Sequence, residues 1–131
     1  MAERRTPMVL CAIDDLIFSI KISTAARALG ASVHFVRDAA EVLPAVRDRR
    51  PSLVIFDLDA GVLDPMGAIR ALKAGPDAVP VRTLGYVSHV RADLIAAARE
   101  AGIDEVLARS AFAARLGDIL TGAHASGASS S

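Results

Sequence analysis

The sequence predicts an α/β protein, a five-stranded parallel sheet with helices on both faces. Three observations carry that prediction. Short apolar runs alternate with longer amphipathic segments along the chain, the rhythm of repeated βα units. The run Leu53-Val54-Ile55-Phe56 has no polar alternation, as expected of a central strand covered on both sides. Each switch from run to amphipathic segment is marked by a glycine, a proline or a capping side chain.

The elements follow in order. Met8 to Ile13 is the first strand, and a helix from about Leu16 to Leu29 is ended by Gly30, which reaches the left-handed region without steric cost. Ser32 to Val36 is the second strand. Asp38, with Glu41 three residues later, has the form of a capping box for a helix to about Arg49, which Pro44 is expected to bend or shorten. Leu53 to Phe56, closed by Asp57, is the third strand. Asp64 and Pro65 supply the cap and first-turn proline of a helix through about Ala74. Val81 to Tyr86 is the fourth strand, in which Arg82 must carry its charge to solvent along its stem. Leu94, Ala97, Ala98 and Ala101 share one face of a helix from Arg91 to Ala101, ended by Gly102. Glu105 to Ala108 is a short last strand. Ser110 is expected to cap a final helix that lays Phe112, Leu116 and Ile119 on the sheet and stops at Gly122.

A chain of 131 residues holds one ordinary domain, and its 53% hydrophobic residues suffice for one core. Residues 8–121 are expected to form it, with 1–7 as an extension and 122–131 as a flexible Gly/Ser-rich tail. Fifteen basic and fifteen acidic residues cancel, which argues against direct nucleic-acid binding, since phosphate neutralisation needs a clustered basic excess. The single cysteine, Cys11, lies in an apolar run and reads as a buried hydrophobe in a reducing compartment. Arg4 and Arg5 precede a stretch too short for an export signal, and no run approaches the length of a membrane span. The expected location is cytoplasmic, with no membrane partner.

In an open parallel sheet of order 2-1-3-4-5, the flavodoxin-like arrangement, the functional crevice lies beyond the carboxyl ends of strands 1 and 3. Asp14 and Asp15 end the first strand and Asp57 ends the third. Three carboxylates in one crevice repel each other unless a cation or a proton neutralises them, and a hard ion such as Mg²⁺ suits an all-oxygen set. The alternative is that Asp14 and Asp15 cap the first helix while Asp57 begins a turn. His89, just past the fourth strand, reads as a loop or helix-start residue with no catalytic partner in evidence.

The run Ile13-Asp14-Asp15, the run from Leu53 to Asp59 and Asp64 ahead of its helix resemble the receiver domains of two-component response regulators. The resemblance extends from Met8 to Leu120. It implies that Asp57 accepts a phosphoryl group, that Asp14, Asp15 and Asp57 hold Mg²⁺ together with the backbone carbonyl of Asp59, and that a histidine kinase or phosphotransfer protein stands upstream. It implies a downstream protein partner or a second copy as a dimer, and a signalling module rather than an enzyme. No output domain fits after Leu120 within these residues, so a stand-alone module is expected.

The second half of the family's pattern departs. Counting from Pro80 puts Gly85 where receivers carry a Ser or Thr at the end of strand 4. Counting back from Ala101-Gly102 puts Val87 there, so an insertion is implied and Ser88 is a candidate substitute. The family's lysine after strand 5 corresponds to Arg109, a planar group able to grip phosphate with two bonds or to act as a fixed counterion of the acidic pocket. The proline that usually follows is Ser110. Tyr86 is a candidate switch aromatic or a packing residue. A pseudo-receiver that keeps the fold as an interaction or dimerisation module is the competing reading. Dinucleotide and P-loop functions lack their glycine motifs, and Asp14 and Asp15 would repel the phosphate of a flavin cofactor.

Overall fold

The computed structural model describes residues 8–60, 63–74, 79–88 and 91–122. The expectations for His89, for the N-terminal extension and for most of the tail lie outside them. Within them the predicted architecture stands: strands β1 (Met8–Ala12), β2 (Ser32–Val36), β3 (Leu53–Asp57), β4 (Arg82–Val87) and β5 (Glu105–Ala108) form one sheet of order β2-β1-β3-β4-β5, every pairing parallel. Helices α1 (Leu16–Leu29), α2 (Ala39–Arg49), α3 (Pro65–Lys73), α4 (Ala92–Ala101), α5 (Arg109–Ala114) and α6 (Leu116–Thr121) connect and cover the strands.

Alternating strand residues feed two cores, because side chains leave a strand on opposite faces in turn. Leu10, Val54, Phe56 and Leu58 pack with Val42, Val46, Ile69, Leu72 and Ala98 beneath α2, α3 and α4. Cys11, Ile55, Leu84 and Tyr86 pack with Phe18, Ile22, Phe112, Leu116 and Leu120 beneath α1, α5 and α6. All five residues of β3 are buried, which explains the absence of alternation in its sequence.

Several boundaries differ from expectation. β1 stops at Ala12, leaving Ile13 buried just past the strand. Helix α3 ends at Lys73, with Ala74 as its extended cap, and α4 starts at Ala92, with Arg91 at the cap position. Pro44 does not shorten α2, which runs on to Arg49. The amide it lacks would have bonded Ala40, and both residues are exposed, so water can serve that carbonyl. Asp38 caps α2 through Ala40 N–H at 3.0 Å. Asp64 caps α3 through Gly67 N–H at 3.3 Å, with Pro65 in its first turn.

Ser110 is not the cap of the last helix. That helix begins one residue earlier, at Arg109, and it is two short helices that meet at Arg115, whose φ of −106° and ψ of 13° break the regular path. Gly122 then closes α6 at φ 88°. Strand β4 is shifted by one residue and reaches Val87, with its guanidinium-bearing Arg82 meeting Glu105 at 3.2 Å.

At the amino end of the sheet a polar knot joins α3, β4 and the turn before β5. Lys73 Nζ donates to Val81 O and to Asp104 Oδ2, each at 2.7 Å. The same carboxylate oxygen accepts from Thr83 N–H at 2.8 Å and from its hydroxyl at 2.9 Å, while that hydroxyl accepts Asp104 N–H at 3.0 Å. Thr83 is fully buried, so this set of bonds satisfies a polar side chain that would otherwise be costly inside the core.

Candidate functional site

Topology brings the ends of β1, β3, β4 and β5 to one mouth of the sheet. Asp57, the last residue of β3, is only 8% exposed there. Its Oδ1 accepts Asp59 N–H at 3.0 Å, closing the turn that follows the strand. Burial pushes the Asp57 carboxyl above the usual carboxylate range, against the lowering effect of that N–H. The Asp59 and Asp15 charges raise it further, and the Arg109 cation lowers it. Asp57, Asp59, Asp15 and Arg109 therefore share one electrostatic neighbourhood.

Asp15 does two things at once. Its Oδ1 accepts Phe18 N–H at 3.1 Å and so caps α1, while its Oδ2 accepts from Arg109 Nη2 in an ion pair. Capping and charge sharing, alternatives in the sequence, are both true of this residue. Asp57 likewise begins a turn and faces the crevice. Asp14, by contrast, is exposed and makes no hydrogen bond or ion pair among the described residues.

Arg109 carries the positive charge. Its guanidinium carbon lies 4.6 Å from the centre of the Phe18 ring, a stacking worth about 0.5–2 kcal/mol depending on desolvation. Phe18 in turn belongs to an aromatic trio, with ring centres 5.1 Å from Tyr86 and 5.5 Å from Phe112, and Tyr86 stacks on Phe112 at 4.8 Å. The sequence reading missed Phe18. Its only local signal is its place three residues after the cap, and its partner in the stack is Arg109, far away in sequence.

Tyr86 sits directly across from Asp57 in the parallel register. It is almost fully buried, and its hydroxyl is without a hydrogen-bond partner among the described residues. Burial and the neighbouring Asp57 charge push its hydroxyl far above the ordinary tyrosine range. Gly85 pairs with Phe56, one step short of Asp57, and the space above its Cα is filled by Leu58 and Ile103 of the α2–α3–α4 core. The count from Pro80 therefore leads to the wrong face of the sheet. Ser88 is the first hydroxyl past β4; its N–H donates to Asp59 Oδ2 at 2.6 Å, a bond that local sequence could not have revealed. Ser88 also lines an open groove with Ile17, Phe18, Lys21, Arg109, Ser110 and Ala113.

The carboxylates have the oxygen chemistry of a Mg²⁺ site, but they are not arranged as one. Among the described residues no three Asp, Glu, His or Cys side chains come close enough to hold a metal ion. The expected set of Asp14, Asp15 and Asp57 does not form such a group among the described residues: Asp15 caps α1 and pairs with Arg109, and Asp14 is exposed. Cys11 is buried, and burial pushes its thiol well above the ordinary range, so it is an inert core residue.

No family profile matches the chain. A response regulator from Hahella chejuensis superposes with a TM-score of 0.76 at 18% identity, over 88% of this chain and 92% of that one. The phosphorylated cyanobacterial phytochrome response regulator RcpA gives 0.73 at 19%, over 90% and 91%. Transcriptional regulatory protein PrrA of Mycobacterium tuberculosis is 32% identical over 111 residues, which is 85% of this chain and 47% of the relative. The chain is a response-regulator receiver domain. The PrrA of Mycobacterium leprae matches with the same identity and coverage, so the receiver domain spans about half the length of these curated relatives. The receiver domain of the Pseudomonas aeruginosa sensor histidine kinase PA1611, with magnesium coordinated in its active-site cleft, superposes at 0.73 with 21% identity over 90% and 99%. Receiver domains are signalling modules, and the relatives of this one support two-component signalling in general. None of its described helices is long and apolar enough to cross a membrane.

Proposed function

We propose that this receiver domain accepts a phosphoryl group at Asp57 from a histidine kinase or phosphotransfer protein and reports it through contact with a partner protein. The observation that carries the reading is Asp57 itself: a buried carboxylate at the end of the central strand, with Oδ1 tied to Asp59 N–H and Oδ2 without a hydrogen bond among the described residues. Oδ2 attacks phosphorus in line, the P–N bond of the donor phosphohistidine breaks, and the departing imidazole takes its proton from solvent. Arg109 offsets the charge that accumulates. Ser88, the first hydroxyl past β4, stands in for the absent strand-end Ser or Thr, and Tyr86, across from Asp57 in the register, is the candidate switch aromatic.

The product replaces one negative charge with a dianionic group beside Arg109. That group competes with Asp15 for the guanidinium, and movement of Arg109 is transmitted to β5 and α5, which it joins. The output is a protein surface, a second copy of the domain included, and a net charge of zero gives no reason to invoke direct nucleic-acid contact. The reading places the domain in the cytoplasm, where a lone buried thiol stays reduced. No part of phosphoryl transfer is assigned to Mg²⁺, since the carboxylates are not arranged around an ion.

Incubation with acetyl phosphate, with and without Mg²⁺, followed by intact mass measurement tests the reading. One labile phosphate on the native chain, absent from Asp57→Ala, is the expected result. A second reading, a pseudo-receiver that works by shape alone, is favoured by the Arg109–Asp15 pair and by Gly85. An unmodified native chain under both conditions would establish it.

A further inference from the structure

We infer that Arg109 is the resident cation of the acidic crevice, and that its guanidinium and a divalent metal ion exclude one another there. Mg²⁺ is held through one or two protein carboxylates with waters completing its shell, so a fixed cation on one of those carboxylates competes with it directly. Asp15 has both oxygens engaged, Oδ1 by the N–H of Phe18, the third residue of α1, and Oδ2 by Arg109, so an ion approaching Oδ2 meets the guanidinium there. No trio of metal-binding side chains converges among the described residues.

The guanidinium is seated on two sides. Asp15 holds its edge, and the Phe18 ring lies against its face at 4.6 Å. The ring is itself fixed by Tyr86 and Phe112. A lysine could not occupy this seat in the same way, because an ammonium has no planar face to lay on the ring and no fork to share with a carboxylate. The positive charge that the crevice requires is thus supplied by a residue attached to the fold. The Arg109 and Asp15 side chains remain 36% and 29% exposed, so water and ions reach the pair and the guanidinium can be displaced. This inference concerns occupancy by a cation and does not depend on phosphoryl transfer to Asp57.

Mg²⁺ binding to the full chain, followed by titration calorimetry and by the emission of Tyr86, tests it. The chain has one tyrosine and no tryptophan, so that emission reports on the crevice alone. Arg109→Gln should bind Mg²⁺ on the order of tenfold more tightly than the native chain, because it frees Asp15 and removes the competing charge. Arg109→Lys, which keeps the charge and loses the stack, should fall between the two. Lys21→Gln removes an exposed charge from the same groove without touching Asp15, and should shift binding by less than about twofold. Circular dichroism confirms that each variant is folded. Equal Mg²⁺ affinity in the native, Arg109→Gln and Arg109→Lys proteins, including absence of binding in all three, would overturn the inference. So would tightening by Lys21→Gln as large as that by Arg109→Gln.

Discussion

Gly85→Ala should destabilise the domain, although alanine normally improves on glycine inside a strand by about 0.5–1 kcal/mol. The structure decides the sign. An added Cβ would lie 2.8 Å from Ile103 Cδ1, 2.8 Å from Leu58 Cδ1 and 2.9 Å from Leu58 Cγ, where carbon atoms prefer about 3.5–4.0 Å. Ile103 Cδ1 is a chain end and can rotate away. Leu58 Cγ is a branch carbon on a residue whose N–H is bonded to Tyr86 O at 3.0 Å, so it moves only with its backbone. Overpacking of this kind costs about 1–3 kcal/mol; the rigid Leu58 contact puts this site in the upper part of that range, about 2–3 kcal/mol, and after the glycine gain the net loss is about 1–2 kcal/mol. For a domain of this size that corresponds to a fall in Tm of roughly 3–10 °C. Equilibrium urea unfolding measures it directly. Ile103→Val deletes one of the clashing methyls, so the double variant should lose about 0.5 kcal/mol less than the sum of the singles. A Gly85→Ala midpoint equal to or above the native value would refute the packing argument. The same geometry predicts that Gly85→Ser restores no phosphate contact, since that side of β4 faces Leu58 and Ile103.

Tyr86→Phe keeps the aromatic trio and deletes a buried hydroxyl with no partner among the described residues, so stability should rise by about 1 kcal/mol; a lower thermal midpoint would mean that the hydroxyl is bonded in solution. Asp104→Asn should cost about 1–2 kcal/mol at neutral pH, a figure held down by the partial exposure of the pair. Burial alone would raise the Asp104 carboxyl, but the Lys73 and Thr83 hydrogen bonds and the Lys73 charge outweigh it and hold the group below its ordinary value. Its contribution is therefore complete above the unfolded-state pKa near 3.9 and fades as pH falls through the lower folded value. The native and Asp104→Asn unfolding curves should converge in that acid range; a constant gap down to the lowest accessible pH would count against the knot.

The parts of the fold that local chemistry controls could be read directly. β3 was legible because a strand covered on both faces needs an unbroken apolar run, and Asp57 stood out as the charge that ended it. Gly30, Gly102 and Gly122 were legible as helix ends because each adopts a positive φ. What could not be read depended on partners distant in the chain. The frame of β4 had two anchors, Pro80 and Ala101-Gly102, that disagreed by two residues, and only the pairing of Tyr86 with Asp57 decides where the strand meets the site. Arg115 is itself neither glycine nor proline, and Gly117 two residues on is the one local sign of the break. Phe18 beneath Arg109 and Asp59 on the Ser88 amide are contacts across the crevice, set by topology.

Asp15 shows why such contacts matter to a switching module. Its two oxygens serve different masters: one starts α1 and the other neutralises Arg109 at the start of α5. A phosphoryl group or a metal ion that draws Arg109 away, or takes its place on Oδ2, leaves the Oδ1 bond to Phe18 N–H in being. The helix cap need not be lost when the charge partner changes. On the proposed function the crevice exchanges its cation while β1 and α1 stay in place, and the displacement is directed to the element that Arg109 heads, the β5–α5 junction. A carboxylate divided in this way separates the stability of the domain from the state of its site, which is what a module that must switch repeatedly without unfolding requires.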